Sequence, residues 1–427
     1  LERVLGEAQY RAGHLPEALS YLEAALALAR ETGDRVTETE ILKGIAGVFR
    51  DWGRYPQALR SLEEAFKIAE KTGNRTGQAS ILNNLSEVLH RLGRSEEALR
   101  GFEQNVVIAE SRGEGRPLAT ALINIAEILK LQGRYDRASS NLSRSLDIAR
   151  KLGDRKTEAA VLNNLSQIYR IQGQNEAALR SLEESLAISR GIGDLTGEAA
   201  TLSNISSIHN DWGRQEEALD NLERALSIRR GAGDRPGEAV LLNNIAAVLG
   251  DFGRSDEAAR LLEESLAISR EVGDLRGEAI TLNNIARFSA LPSDPGRALR
   301  HLEEALAIQR RLGDLKSAAA TLNNIAMTYD QLGSSDKALA ALEESLALAR
   351  QIGHIAGEAA AAWNLAHEHS RRGHPEKALP LARRTVEIDE QTRHPDLERH
   401  RGYLQELEQH AQPLEPEPPG LTAGLSR

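Results

Sequence analysis

The chain has 427 residues, with 53 Lys and Arg against 63 Asp and Glu, a formal charge of -10 and a pI near 5.7; a general nucleic-acid binder would be basic, so that class is excluded. There is no Cys, one Met and 4% aromatics, which excludes disulfide scaffolds, thiolate zinc sites and cysteine catalysis. No apolar run approaches the roughly 18 residues of a membrane span and no signal-peptide core is visible, so a cytoplasmic protein with a core of Ala, Leu and Ile is expected, leaning all-α because Ala and Leu favour helix.

Taken from the start, residues 1–10 read as the tail of a first helix whose beginning is missing, and with no initiator Met the chain reads as a piece of something larger. From there it repeats with a period of 40 residues and no insertion. Ala18, Ala58, Ala98, Ala138, Ala178, Ala218, Ala258, Ala298, Ala338 and Ala378 form one column. Two Gly columns, typified by Gly53 and Gly93 and by Gly33 and Gly73, mark two turns per unit. In the unit 74–113, Ala79, Leu82, Leu85, Ser86 and Leu89 follow helical spacing, and Gly93 stops that helix. Ser95 is placed to cap the second helix, which carries Ala98, Phe102, Asn105, Val106 and Ala109. Gly113 ends it, and Asp154, Asp194, Asp234, Asp274 and Asp314 stand where the next helix needs an N-cap. Each unit is two antiparallel helices of about 15 residues. One pair cannot bury both faces, so pairs must stack. The predicted fold is an all-α, right-handed solenoid of about ten helix–turn–helix units over residues 1–385. An altered turn is expected at Leu291–Pro295, and a broken second helix at Pro380. A terminal capping helix is predicted over 386–410, followed by a disordered Pro-rich tail, 411–427.

The residues give little sign of catalysis. No GxSxG, HExxH or GxxxxGK[ST] motif occurs. Gly231, Gly233 and Gly237 are the repeat turn with one extra Gly. His367 and His369 are two apart on a helix and do not share a face, which points to exposed side chains and no metal site. Paired carboxylates such as Glu63/Glu64, Glu183/Glu184, Glu263/Glu264, Glu303/Glu304 and Glu343/Glu344 recur at one repeat position, as on a solvated convex face. Neither an enzyme nor a cofactor is expected.

Asparagine is the informative residue. Asn84, Asn124, Asn164, Asn204, Asn244, Asn284, Asn324 and Asn364 hold one position, preceded by Asn83, Asn163, Asn243, Asn283 and Asn323 in five units. Mid-helix Asn costs up to about 0.7 kcal/mol relative to Ala, and this stripe lies opposite Leu82, Leu85 and Leu89. An Asn amide can pair with both the N–H and the C=O of a peptide backbone. The competing reading is Asn–Asn or Asn–backbone bonding between neighbouring units. One turn further along the same helix the column runs Arg50, His90, Lys130, Arg170 and then Asn210, Gly250, Ala290, Asp330, Ser370. A basic start to this stripe, suited to an acidic partner segment, is therefore expected.

The spacing of Ala98 and Phe102, and of Ala218, Leu222 and Ala225, with Leu82, Leu85, Ser86 and Leu89 before them, resembles the tetratricopeptide repeat. The 40-residue period with Gly-Asp turns and the Leu242–Ile245 phrase is similar to its long-helix subclass, found in Pins-type adaptors, kinesin light chains and many bacterial signalling proteins. The Pro common at the end of the shorter repeat is absent, which fits a longer second helix. The resemblance implies that the polar stripe lines a concave groove for a protein or peptide. It implies a protein-interaction scaffold; the acidic charge and the lack of an apolar span argue against nucleic acid and membrane as partners, and the uncapped start leaves homo-oligomerisation as an option. The alternative it implies is the sensor or regulatory arm of a larger bacterial protein, with a nucleotide switch or caspase-like protease upstream.

Overall fold

A computed structural model describes residues 2–11, 14–287 and 294–411. The described residues form 21 helices: α1 (Glu2–Arg11), α2 (Leu15–Thr32), α3 (Arg35–Asp51), α4 (Tyr55–Lys71), α5 (Arg75–Arg91), α6 (Ser95–Arg112), α7 (Gly115–Leu131), α8 (Tyr135–Leu152), α9 (Arg155–Ile171), α10 (Asn175–Ile192), α11 (Leu195–Asp211), α12 (Gln215–Gly231), α13 (Arg235–Asp251), α14 (Ser255–Val272), α15 (Leu275–Ile285), α16 (Pro295–Leu312), α17 (Leu315–Gln331), α18 (Ser335–Ile352), α19 (Ile355–Arg371), α20 (Pro375–Thr392) and α21 (Leu397–Ala411). Complete helices have 17 or 18 residues, a little longer than the expected 15.

The turns are built by the residues that the period singled out. Asp34, Asp154, Asp194, Asp234, Asp274 and Asp314 each accept the N3 amide of the following first helix through the side chain, satisfying a donor the helix cannot pair internally. Ser95 does not cap α6: it is the first helical residue, Arg94 precedes it, and its hydroxyl is used elsewhere, as described below.

Helices pack pairwise along the chain, and first helices also touch the first helices of the next unit, as α9 with α11, α13 with α15 and α17 with α19. First helices therefore lie on the short inner side of the curve. The buried layer between first and second helices is set by the Ala column, of which Ala58, Ala98, Ala178, Ala218, Ala258 and Ala298 are wholly inaccessible. An Ala178→Leu substitution is expected to overpack this contact and lower stability by about 1–3 kcal/mol; a thermal melt equal to the parent's would contradict that.

The spiral returns onto itself after about six and a half units. Ser95 Oγ donates to the Ile352 carbonyl at 3.0 Å across 257 residues. Leu312 packs on Gly53, Ile352 on Gly93, and Thr392 with Ile355 on Gly133, three contacts each stepping by one unit. Tyr55, Ser95 and Tyr135, which open α4, α6 and α8, are 6–8% exposed because the later turn covers them. At the same position Ser255 is exposed, and Gly173, Gly213 and Gly253 face open space.

His354 sits in this seam. It takes the N-cap position of α19, where most units have Asp, and makes no cap bond. Burial, and then the charge of Lys316, pushes its ring from 6.5 down to about 4. The folded state thus prefers the neutral ring. Between pH 6.5 and about 4 the unfolded chain binds a proton that the folded chain does not, so this contribution is complete above 6.5 and is lost as pH falls through that window. A His354→Asn substitution is expected to restore a cap worth about 1 kcal/mol and to flatten the pH dependence of the melting temperature over that range. An unchanged slope would refute the assignment.

At the carboxyl end α20 runs through Pro380 to Thr392 without a break, with Ala378, Ala382 and Val386 buried on either side of the proline. Packing on these residues offsets the one backbone bond the proline lacks. The chain turns at Arg393, whose φ is +54°. Residues 386–392 therefore belong to the last second helix, and the terminal helix is α21. Most of the stretch 291–295 and residues 412–427 lie outside the described residues.

Candidate functional site

The Asn pairs fall on the inner, first-helix side, half-buried, with Asn243 the most enclosed at 5% exposure. The two columns behave differently. In the first column the side-chain amide is committed to the protein. Asn163 Nδ2 lies 3.1 Å from the Ala159 carbonyl, 2.6 Å from Ser185 Oγ on the second helix and 3.0 Å from Thr201 Oγ1 on the next first helix. Asn243 repeats this with Ala239, Ser265 and Thr281. Asn283 reaches Thr321, and Asn323 reaches Ser345.

The second column bonds backward to the first. Asn124 donates to Asn83 Oδ1, Asn204 to Asn163, Asn284 to Asn243, Asn324 to Asn283 and Asn364 to Asn323, at 2.9–3.2 Å. Asn244 donates to Ser203 Oγ at 2.9 Å because Ser holds the preceding position there. Each rung spends one N–H in this way. An amide has a second N–H and two acceptor lone pairs on oxygen, and among the described residues these are not used by the protein. Asn84 and Asn164 face Lys43 and Ile123 where other units have Asn or Ser, and neither amide has a protein partner among the described residues. The ladder is thus a structural zipper along one column and a row of partly or wholly unspent amides along the other.

The basic column is internally neutralised. Arg50 pairs with Asp51 at 2.9 Å and with Glu87 of the next unit at 3.3 Å. Lys130 pairs with Glu127 at 2.6 Å and with Gln167 of the next unit at 2.9 Å. Arg170 pairs with Asp211 of the next unit at 3.0 Å. His90 stands beside Ser95 Oγ at 3.4 Å, in the seam between spiral turns. Burial and then Arg91 lower its pKa, so it carries little charge at neutral pH.

Sequence reasoning missed a second device between units. Arg30, Arg150, Arg230 and Arg270 each bridge the Glu eight residues on and the Glu thirty-four residues on, for example Arg150 to Glu158 at 3.0 Å and to Glu184 at 2.6 Å. Four of the ten paired carboxylates expected on a merely solvated face, Glu64, Glu184, Glu264 and Glu304, are therefore partners in these clamps. The Arg column at the same 40-residue spacing was the available signal. Glu38, Glu158 and Glu238 are almost fully buried under them. For Glu238 burial pushes the carboxyl pKa up, but the bonds from Arg230 and Arg235 outweigh it and hold the group below its ordinary value.

His367 is exposed and stacks on Tyr403 at 4.1 Å, whereas His369 is buried at 7% exposure, so only the first of the two meets the expectation. Among the described residues no three His, Asp or Glu side chains are grouped to hold a metal ion, and no helix is long and apolar enough to cross a membrane.

The tetratricopeptide repeat model matches in nine overlapping segments from residues 1–71 to residues 317–391. The chain belongs to the tetratricopeptide repeat family. Tetratricopeptide repeats generally form non-catalytic scaffolds for protein interaction. Among solved structures it is similar to Rap protein complexed with competence and sporulation factor, at 14% identity and TM-score 0.55, over 83% of this chain and 98% of that one. It is also similar to a STAND protein with a tetratricopeptide repeat sensor from Pyrococcus horikoshii, at 17% identity and TM-score 0.46, over 86% of this chain and 54% of that one. A kinesin light chain of Podosopora anserina with nearly identical TPR-like repeats aligns at 21% identity and TM-score 0.37, over 45% of this chain and 95% of that one. No curated protein matches the chain.

Proposed function

We propose that this repeat protein binds an extended or helical peptide segment of a partner along its inner wall, and that the second Asn column supplies the backbone contacts. The observation that carries this reading is the unspent hydrogen-bonding capacity of Asn84 and Asn164, with the free oxygens of Asn124, Asn204, Asn244, Asn284 and Asn324 beside them. A row of amides at one repeat spacing reads a backbone without reading its sequence, leaving selectivity to the flanking residues. The complex of the Rap protein with a competence and sporulation factor is consistent with a repeat spiral holding a separate molecule.

A partner with acidic residues between the units of Arg50 and Arg170 competes for cations that are already paired within the protein. Such a segment displaces Glu87, Glu127 and Asp211 from their present cations, so the contact is an exchange of ion pairs and is screened by salt. An array of immobilised peptides, acidic and neutral, is the appropriate test. Peptides captured by the parent are expected to bind at least about tenfold more weakly to an Asn84→Ala/Asn164→Ala/Asn204→Ala variant, a loss of about 1.4 kcal/mol or more, with the melting temperature little changed. Equal affinity for parent and variant would remove the amide row from the binding surface.

A further inference from the structure

The last interface between units departs from the others. Position 389 is Asp, where the equivalent residues of earlier units include Ala69, Ala109, Ala149, Ser189, Ser269 and Ala349. Asp389 is 2% exposed. Its Oδ2 is held by His400 Nδ1 at 2.5 Å, while Oδ1 has His394 Nδ1 no closer than 4.0 Å. A cavity of ≈ 280 Å³ lies against it, walled by α19, α20 and α21 and by Tyr135 from the preceding spiral turn.

The aromatic wall of this cavity is also particular to this unit. Trp363 stands where five units have Asn. Its ring is fixed by His400 at 3.9 Å and Tyr403 at 4.9 Å. Asn364, on the same wall, gives an N–H to Asn323 and keeps its oxygen. The Thr385 and Thr392 hydroxyls donate to carbonyls of their own helix, so they offer only lone pairs to the cavity. The floor therefore presents a carboxylate oxygen, further acceptors and an indole face, and the buried ring nitrogen beside them, His400 Nδ1, is already taken by Asp389 Oδ2, leaving Oδ1 for a ligand. Arg399, exposed at the mouth, already places its guanidinium 5.9 Å from the Trp363 ring centre.

We infer that this cavity binds a cationic headgroup, a primary ammonium or a guanidinium, paired with Asp389 Oδ1 and laid against Trp363. Desolvated cation–π contacts with Trp are among the stronger of their kind, and a carboxylate this buried gains from a counter-charge that enters with its own N–H donors. The size suits a headgroup with a short alkyl stem, just below the roughly 300–1,000 Å³ of drug-sized pockets. The same chemistry is carried by a free polyamine and by a Lys or Arg side chain of a bound segment. This inference does not depend on the amide row.

Calorimetric titration of the full chain with cadaverine, agmatine and capped Gly-Lys-Gly and Gly-Arg-Gly peptides separates these sources. One saturable site is expected, weakened at least about tenfold in Asp389→Asn, which keeps the shape and the His400 contact, and unaffected in the Asn84→Ala/Asn164→Ala/Asn204→Ala variant. Binding by the free amines alone identifies a small-molecule site; binding by the peptides identifies a side-chain pocket. No saturation with any of the four, or undiminished affinity in Asp389→Asn, overturns the proposal. If Asp389→Asn does not fold, Trp363→Phe takes its place, because binding indifferent to loss of the indole overturns the proposal as well.

Discussion

An Asn243→Ala protein is expected to unfold at about 1–3 kcal/mol lower stability than the parent, whereas Asn164→Ala is expected to be neutral or slightly stabilised. The two residues come from adjacent columns of one polar stripe, and sequence alone gives no reason to separate them. Asn243 sits at 5% exposure, within hydrogen-bonding reach of Ser265 and Thr281, both wholly inaccessible, and it receives Asn284 on its oxygen. Truncation leaves Ser265 and Thr281 their bonds to the Ala239 and Gly277 carbonyls but removes the donor between them and the acceptor of Asn284, and losing a partner in a buried network costs about 1–3 kcal/mol. Asn164 has no protein partner to lose among the described residues, and Ala is the better helix former by up to about 0.7 kcal/mol. Chemical denaturation of both variants decides the matter. Equal losses would mean that the two columns do one job, and the division between zipper and open amides would have to be abandoned.

Gly93→Ala is expected to be much more damaging than Gly173→Ala. Both glycines close the same turn with φ of +76° and +71°, so Ala costs each about 1–2 kcal/mol of backbone strain. A Cβ at Gly173 meets open space, but one at Gly93 would stand 2.7 Å from Ile352 Cγ2 in the next spiral turn. Forcing a methyl into that contact adds about 1–3 kcal/mol, or else the seam parts. Melts of the two variants measure the first outcome, and small-angle scattering detects the second as a lengthened spiral. Indistinguishable melts together with indistinguishable scattering would mean that the turns do not touch in solution.

The helix pairs, their turns and the small-residue contacts were legible in the sequence because each depends on neighbours within one 40-residue period. Asp154 caps the helix that follows it, Gly113 reverses the chain beside it, and Ala98 is buried within the local layer. The reading of Ser95 as a cap failed for the opposite reason: its partner, the Ile352 carbonyl, is 257 residues away. The amide stripe and its two columns were legible, but not the different bonding of each column. Which amide bonds backward and which is enclosed depends on how far each unit rotates on the last.

By itself, the order of residues determined a stack of paired helices with an amide stripe along the first helices, since helical periodicity and turn chemistry are local and recur in every unit. Only the tertiary structure decided where one spiral turn meets another, which cations are already neutralised, and that Asp389 and Trp363 share a cavity. Those outcomes follow from the pitch of the spiral, a sum of small rotations at every interface, and no single unit contains that sum.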